Sequence, residues 1–296
     1  MALLERAIAS PSFQERFFFL AKRFVAGETV DAAIEAVKRL NADGLSATLD
    51  FLGEDVFESA EAKASAAQTL RTVETIDRAG VDANVSVKLT ALGLSIDENL
   101  AAEHLLAVAQ RAACNRDPFV RIDMEGSGVV DATLRVFERV HAQQDNVGVV
   151  LQAYLHRSAG DVEDAIARGA RVRIVKGAYK EPPSIAYKDM AEIRRNYLKL
   201  ARALLTRGNY PAVATHDLSL IEAIKRMTTE CGIAKDRFEF QLLYGIRPQT
   251  QRQLVAEGYR VRVYVPFGTH WSGYFYRRLG ERKENVLFVL GSLFSR

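Results

Sequence analysis

Cysteine is scarce in this sequence: among its 296 residues only Cys114 and Cys231 carry a thiol. Two cysteines without metal-like spacing argue against a disulfide scaffold and favour a reduced, cytosolic protein. The five histidines show neither a His-Glu-x-x-His pattern nor another paired ligand spacing. We therefore predict no metal centre.

Long apolar runs are also missing. Stretches such as Val286–Leu290 are far too short to cross a bilayer, and the first residues, MALLERAIASPSF, lack the long apolar core of a signal peptide. The sequence therefore predicts a cytoplasmic protein. Peripheral contact with the inner face of the membrane stays open as an alternative.

The charges nearly balance, since 40 Lys and Arg against 37 Asp and Glu leave a net charge of +3. So small an excess gives no reason to expect a nucleic-acid partner, although it is compatible with an anionic small substrate. Hydrophobic residues at 48% and charged residues at 26% are typical of a soluble globular enzyme. The composition makes no prediction of the oligomeric state.

Eight short runs of β-forming residues alternate with helical stretches. The runs are Leu45–Phe51, Asn84–Leu89, Phe119–Met124, Val147–Tyr154, Val172–Lys176, Ala212–Thr215, Phe238–Leu242 and Val261–Val265. This alternation favours parallel βαβ units with right-handed crossovers, and eight of them fit an α/β fold of the (β/α)8 TIM-barrel type. No linker divides the chain. We predict one domain, 1–296, made of an N-terminal helical arm, 1–43, and the barrel, 44–296.

Polar side chains collect where these strands end, which is where a barrel of this type builds its active site. The candidates are Lys88, Asp123, Glu125, Gln152, Arg173, Lys176, Thr215, His216, Asp217, Glu239, Gln241 and Tyr264. A single strand-end acid or lysine is more often a structural ion pair. A set drawn from different strands and directed to one mouth favours an active site.

The stretch VRVYVPFGTHWSGYFYRRLGERKEN, 261–285, predicts a strand ended by Pro266 and Gly268, followed by a helix. On that helix Glu281 lies within reach of both Arg277 and Arg278. Two arginines close to Tyr274 suit a small carboxylate with an apolar body, because the planar guanidinium grips a carboxylate in two places. The alternative is a solvated helical face.

Taken together, the motifs DFLGE, VSVKLTALG, RIDMEG, LQAYL, RIVKGAY, ATHD, FEFQLLYG and YVPFGTHW…YFYRRLGE resemble those of the proline dehydrogenases, in the monofunctional bacterial form. The resemblance runs from about Gly44 to Asn285, in order and over all eight strands. It implies a distorted barrel that holds FAD, with a C-terminal helix over the mouth. It also implies oxidation of L-proline to Δ1-pyrroline-5-carboxylate by hydride transfer to flavin N5, the first step of proline catabolism, with a quinone as the electron acceptor.

The same resemblance implies a role for each matching residue. Asp123 and Arg173 would form the active-site pair beside the flavin, with Arg173 near N5. The proline carboxylate would be bound by Lys88, Arg277 and Arg278, and its ring would pack against Tyr264 and Tyr274. Contacts to FAD would come from Met124, Gln152, Arg173, Lys176, Gly177, Ala178, Thr215 and His216. Tyr179 and Glu281 would support the site from behind these residues. Lys180 stands where many relatives carry an aromatic residue, which puts the packing at that flavin edge in doubt.

Other functions remain open from the residues themselves. Lys88 or Lys176 could be a Schiff-base lysine of a barrel lyase or aldolase. Gly126–Asp131, GSGVVD, superficially resembles a dinucleotide-binding turn but lacks the third glycine at the required place. A non-enzymatic barrel that binds an amino acid, or that docks on membranes through Phe17-Phe18-Phe19 and Val286–Phe294, is the third possibility.

Overall fold

The computed structural model describes residues 21–275 of the chain. Eight parallel strands form a closed barrel in which each strand pairs with its sequence neighbours and β1 pairs with β8. The strands are β1 Ser46–Phe51, β2 Ala83–Val87, β3 Val120–Ile122, β4 Val147–Gln152, β5 Val172–Val175, β6 Ala212–Ala214, β7 Glu239–Leu243 and β8 Arg260–Phe267. The barrel prediction is therefore confirmed.

Helices precede the first strand and connect successive strands outside the barrel. They are α1 Val30–Ala42, α2 Ser59–Ala79, α3 Glu98–Ala112, α4 Val130–His141, α5 Ser158–Ala167, α6 Met190–Arg207, α7 Leu218–Glu230 and α8 Pro248–Ala256. A further helical segment occupies residues 271–275. No helix within residues 21–275 is long and apolar enough to cross a membrane.

Several helices begin at a residue whose side-chain oxygen accepts a hydrogen bond from the first turn. Thr29 caps α1, Asp97 caps α3, Asp189 caps α6 and Asp217 caps α7. Such caps satisfy backbone amides that have no partner within the helix and stabilise it by about 1 kcal/mol each. The α7 cap matters most here, because Asp217 also lies in the wall of the functional cavity.

Strand β8 is longer than the sequence predicts. It continues through Pro266 to Phe267, and Pro266 stands in register with Asp50 of β1. The prediction that Pro266 ends the strand is wrong because β7 has already ended: its last register pair with β8 is Leu243 with Tyr264. The missing N–H of Pro266 therefore costs no bond to β7.

The interior of the barrel is unusually polar. Barrels of this class commonly fill their interior with layers of branched apolar side chains. Here Arg121, Glu239 and Arg262 are all buried inside. Arg262 donates from Nε to both carboxylate oxygens of Glu239, at 3.0 and 3.1 Å, and its Nη2 lies 2.9 Å from Asp117. This charged floor lies beneath the cavity described below.

The N-terminal segment packs beside the barrel mouth. Phe24 lies 6.3 Å from Phe275 between ring centroids, and the Ala26 amide donates to the carbonyl of Pro266 at 2.9 Å. Gly245 accommodates this approach because it adopts a φ of 71° and a Cβ there would lie 1.6 Å from the carbonyl oxygen of Arg23. The segment therefore braces the residues that lead out of β8.

Candidate active site

A cavity of about 810 Å³ opens among the carboxyl ends of the strands. Within the described range, all thirteen residues to which the family resemblance assigns a role line it: Lys88, Asp123, Met124, Gln152, Arg173, Lys176, Gly177, Ala178, Tyr179, Thr215, His216, Tyr264 and Tyr274. Of the other strand-end candidates, Asp217 and Gln241 also line it, whereas Glu125 and Glu239 do not. Arg277, Arg278 and Glu281 lie outside the described residues, so the paired arginine anchor stays a prediction. The fold thus brings together groups that the sequence spreads over six strands, β2–β6 and β8, and the segment after β8.

Lys88 follows β2 and is held by Asp50 of β1. Its Nζ lies 3.1 and 3.0 Å from the two oxygens of Asp50 and 4.0 Å from Oδ2 of Asp123. Only 10% of the Lys88 side chain and 2% of the Asp50 side chain are exposed. Burial favours the neutral amine, but Asp50 and then Asp123 outweigh it and raise the pKa of Lys88 above its ordinary value. Lys88 is therefore a permanent cation at neutral pH.

Asp123, just after β3, is the centre of the polar network. Its Oδ1 accepts hydrogen bonds from Arg173 Nη1 at 2.6 Å and from Ser86 Oγ at 2.7 Å, and its Oδ2 accepts one from the Tyr264 hydroxyl at 2.6 Å. Burial opposes ionisation, but Arg173 and then Lys88 outweigh it and hold the pKa of Asp123 below its ordinary value. Burial and the neighbouring Asp123 raise the pKa of Tyr264 well above its ordinary value. The phenol therefore keeps its proton and donates a hydrogen bond to Asp123.

Arg173 rises from β5 into the cavity wall. Its Nη1 binds Asp123, its Nε donates to Oε1 of Gln241, and its guanidinium carbon lies 5.3 Å from the centre of the Tyr264 ring. Its Nη2 is buried and has no hydrogen-bond partner within residues 21–275. Buried donors are nearly always paired in folded proteins. The Nη2 of Arg173 therefore marks a point at which a bound group is expected to present an acceptor.

A second polar group lies between β5 and β6. Lys176 Nζ and Arg194 Nε lie 2.9 and 2.8 Å from the same oxygen of Asp217, the cap of α7. Burial opposes ionisation of Asp217, but hydrogen bonds from Lys176, Ser219 and Arg194 lower its pKa below the ordinary value. Two cations share one carboxylate here, so positive charge is left over for an anionic ligand.

His216 faces the cavity from the end of β6. Its Nε2 accepts a hydrogen bond from the backbone amide of Leu243 at 2.9 Å, so the neutral ring carries its proton on Nδ1. The preceding residue, Thr215, accepts a bond from the Asp217 amide at 3.1 Å through its hydroxyl oxygen. These bonds tie the β6 loop to β7 and orient both side chains toward the cavity.

Gln152 and Glu125 join β4 to the loops after β2 and β3. Gln152 Nε2 donates to the carbonyl of Glu125 at 3.0 Å, while the Glu125 carboxylate accepts from the amide and the hydroxyl of Thr90, at 3.2 and 2.5 Å. Burial raises the pKa of Glu125. Both oxygens of Glu125 are engaged in holding the loop, which explains this strand-end acid structurally.

The GSGVVD turn is explained by an internal contact. The amide and hydroxyl of Ser127 both donate to Glu181, at 2.7 and 2.5 Å. In a dinucleotide-binding turn the amides at this point would face a phosphate. A carboxylate of the chain itself occupies that position, and the surrounding sheet is a closed barrel, so the dinucleotide-binding hypothesis is rejected.

The strand-end lysines are poorly suited to Schiff-base chemistry. A nucleophilic lysine needs a depressed pKa so that its amine is neutral. Lys88 has a raised pKa and is paired with Asp50, and Lys176 is paired with Asp217 at 2.9 Å. The geometry therefore favours both lysines as fixed positive charges.

Comparison with known proteins identifies the family of this chain. The family model for proline dehydrogenase matches residues 33–290. The chain belongs to the proline dehydrogenase family. It is 43% identical over 270 residues to proline dehydrogenase 1 of Bacillus subtilis subsp. natto, which covers 91% of this chain and 89% of that protein. It is 41% identical over 298 residues to the proline dehydrogenase of Deinococcus radiodurans, covering 98% of this chain and 95% of that protein.

A solved structure shares the fold as well. Proline utilization A from Bdellovibrio bacteriovorus, inactivated by N-propargylglycine, superposes with a TM-score of 0.83 and 27% identity over 91% of this chain. The chain spans 33% of that longer protein. The similarity therefore concerns one part of a larger polypeptide.

Membership in the proline dehydrogenase family implies a flavin cofactor, and the cavity fits one. Its volume lies in the range of small-molecule and cofactor sites, about 300–1,000 Å³. Gly177, in its wall, adopts a φ of 116°, and a Cβ there would lie 2.2 Å from the ring of Tyr154. The Nη2 of Arg173, which has no hydrogen-bond partner among residues 21–275, and the cations around Asp217 provide donors for an electron-rich ring and for phosphate groups.

Two site residues of this family member were missed as functional candidates. Asp50 pairs with Lys88, although the sequence presents it only as part of the DFLGE motif. The pairing depends on the register of β1 with β2, in which Asp50 stands opposite Ser86, two residues before Lys88, and the local sequence gives no signal of that register. Arg194 belongs to a helix and gave no signal in its local pattern. Glu239, in turn, lies at the start of β7, so its prediction as a strand-end residue is wrong.

Proposed function

We propose that this chain is an FAD-dependent dehydrogenase that oxidises L-proline to Δ1-pyrroline-5-carboxylate, with the candidate residues in the roles that their motifs imply. The observation that carries the proposal is the convergence of thirteen residues, each with a role implied by the family resemblance, on one cavity around the Asp123–Arg173 pair. Bound FAD would supply the two-electron acceptor chemistry. The residues of the chain bind, orient and exclude water.

Substrate binding follows from charge. Lys88 and Arg173 carry two positive charges, which Asp50 and Asp123 cancel. The carboxylate of proline adds one negative charge, and its burial is unfavourable without a further cation. Arg277 and Arg278 would supply that cation, while Tyr264 and Tyr274 would pack against the ring and hold it in one orientation.

Cofactor binding would use the opposite side of the cavity. Arg173 would donate from Nη2 to the flavin ring, which stabilises negative charge when the ring accepts electrons. Met124, Gln152, Gly177 and Ala178 would line the flavin, and the groups after β5 and β6 would face its polar end. Tyr179 would support this wall through its hydroxyl. We further propose a quinone as the acceptor that restores the oxidised flavin, at the inner face of the membrane.

The arrangement of the chain is also proposed as predicted: one domain, 1–296, with residues 1–43 as an arm on the barrel 44–296 and a helix after β8 over its mouth. The helical residues 271–275 and the position of Tyr274 in the cavity wall support the proposal of a helix over the mouth.

Two measurements test the function. Acid precipitation of the purified protein should release non-covalent FAD into the supernatant, and anaerobic mixing with L-proline should bleach the flavin absorbance. A colourless protein that is indifferent to added FAD refutes the proposal. Borohydride added with L-proline should trap no substrate; a mass increase localised to Lys88 would instead establish Schiff-base chemistry.

The arginine pair provides the test of substrate binding. A hydrogen bond between charged groups contributes about 1.5–3 kcal/mol, and about 1.4 kcal/mol is a factor of ten. Replacing Arg277 or Arg278 by Met should therefore weaken proline binding by roughly ten- to a hundredfold, and Lys should restore only part of it because the planar fork is lost. FAD content should stay unchanged. Variants that bind and oxidise proline like the parent would show that the pair is only a solvated helical face.

A further inference from the structure

A buried hydrogen-bonded chain connects the charged floor of the barrel to Arg173. It runs from Arg262 through Glu239 and Gln241 to the guanidinium of Arg173. We propose that Gln241 is a positioning residue for Arg173, which keeps the guanidinium oriented toward the flavin; this inference rests on the proposed function. Gln241 is only 5% exposed and lies in the cavity wall.

The orientation of the Gln241 amide is determined by its two neighbours. Its Oε1 accepts the hydrogen bond from Arg173 Nε, and its Nε2 donates to Oε1 of Glu239 at 2.5 Å. The reversed amide would place an NH₂ group against a guanidinium and a carbonyl against a carboxylate, and both contacts are repulsive. Glu239 therefore fixes Gln241, and Gln241 fixes Arg173.

Glu239 is itself fixed from below. Its carboxylate accepts from Arg262 Nε at 3.0 and 3.1 Å, and it is 3% exposed. Burial opposes ionisation, but Arg262 outweighs it, so the pKa of Glu239 lies below its ordinary value. Gln241 is therefore held by a carboxylate, Glu239, whose charge Arg262 already compensates.

The neutral amide separates two charge systems. Glu239 is compensated by Arg262, and Arg173 is compensated by Asp123 at 2.6 Å. A carboxylate at position 241 would contact Arg173 Nε directly and add a second anion to the same guanidinium, and it would face the Glu239 carboxylate without the amide donor that now holds residue 241. With Gln241 the guanidinium keeps its orientation without that neutralisation, and Nη2 has no hydrogen-bond partner in the part of the chain that the structure describes.

The consequence for a flavin concerns its two redox states. A guanidinium beside the ring stabilises the reduced form, which carries more negative charge than the oxidised form. A glutamate at position 241 weakens that stabilisation selectively. Gln241→Glu should therefore raise the dissociation constant of reduced FAD relative to that of oxidised FAD by at least tenfold, which lowers the two-electron midpoint potential by about 30 mV or more.

The experiment measures this potential by anaerobic reduction of the FAD-loaded protein against a reference dye, with absorbance spectra and thermal unfolding recorded on the same samples. Gln241→Met tests the same inference without a new charge, because it leaves Arg173 Nε without an acceptor; we expect a rise of at least threefold in the same ratio, and so a lower midpoint potential. Should Gln241→Glu fail to fold or to hold FAD, the result for Gln241→Met decides.

Two control variants separate positioning from simpler effects. Gln110→Glu adds a negative charge on the exposed face of α3 and should leave the ratio within twofold of the parent. Gln251→Met removes another buried glutamine, whose Nε2 donates to the carbonyls of Leu243 and Ile246, and should lower stability without changing the ratio. A structural role alone for Gln241 would make its variants behave like Gln251→Met.

The outcomes are distinguishable from failure of the proposed function. Suppose that the parent protein binds FAD and oxidises proline, and that both Gln241 variants have the same midpoint potential as the parent. Gln241 then does not position Arg173, and the inference is overturned. If the parent protein itself binds no flavin, the proposed function fails first. A lower midpoint potential in both Gln241 variants, with the midpoint potential of both controls unchanged, supports the inference.

Discussion

Removal of Lys88 should destabilise the fold mainly through the carboxylate that it leaves behind. Lys88→Met deletes the cation that lies 3.0 Å from Asp50, whose side chain is 2% exposed. Breaking a buried ion pair by removing one partner typically costs about 3–5 kcal/mol, because the other charge remains buried and unpaired. Lys88 also lies 4.0 Å from Asp123, so its removal takes a cation from both carboxylates, and we expect a loss in this range in the free energy of unfolding.

The double variant Lys88→Met, Asp50→Asn removes both charges and leaves the Asp123–Arg173 pair intact. The cluster is then neutral again, so most of the lost stability should return, with a coupling of about 2 kcal/mol or more between the two sites. Asp50→Asn alone should cost less than Lys88→Met, since Lys88 keeps Asp123 at 4.0 Å.

Urea unfolding at pH 7 provides the assay. Trp271 is the only tryptophan of the chain and is 1% exposed beside Phe275, so its fluorescence reports the region of the barrel mouth. Coincident transitions by fluorescence and circular dichroism are required before free energies are extracted. Equal stability of the single Lys88 variant and the double variant would refute the argument. Restored stability without proline oxidation would assign Lys88 to substrate binding as well.

Two further predictions concern the cavity wall. Gly177→Ala should abolish tight flavin binding, because φ is 116° and the new Cβ would lie 2.2 Å from the Tyr154 ring. The control Gly160→Ala, where a new Cβ would meet nothing within 4 Å, should leave the flavin content unchanged. Equal flavin content in the two variants would contradict this prediction. The pKa of Asp217 is lowered by folding, so its contribution to stability is complete above its unfolded pKa and is lost as the pH falls through the folded pKa. Asp217→Asn should therefore be less stable than the parent at pH 7, and urea titrations should show this difference narrowing below about pH 4; a constant difference would disprove the assignment.

The barrel could be predicted from sequence because its strands repeat one local pattern. Eight short β-forming runs, each followed by a helical stretch, leave few alternatives to a closed parallel barrel. Residue bounds were less certain at the ends: β3 is limited to Val120–Ile122, because its last register pair with β2 is Ile122 with Val87, although the amide of Asp123 still donates to the carbonyl of Val87. Pro266 is a second example. Whether β8 can continue through a proline depends on where the neighbouring strand β7 ends, which the local sequence does not show.

The site was predictable where a residue carries chemistry in its own motif, as with Lys88 and Arg173. It was not predictable where the role of a residue depends on its level along the barrel axis, from the floor to the mouth. Glu239 and Gln241 are two residues apart on one strand, yet the first belongs to the charged floor and the second to the cavity wall. The stagger between neighbouring strands decides which of the two residues reaches the cavity, and the local sequence does not encode that stagger.

The hydrogen-bond ladders of the barrel differ in length, and this has a consequence for how it opens. The β1–β8 seam has six register pairs, whereas β5 and β6 share only two, Arg173 with Ala212 and Ile174 with Val213. Local opening follows the weakest cooperative unit. Amide hydrogen exchange should therefore be fastest along β5–β6 and slowest along the seam, although the seam joins segments far apart in sequence. A cofactor whose proposed contacts follow these two short strands would enter and leave through the part of the barrel that yields most readily, while closure is maintained on the opposite side.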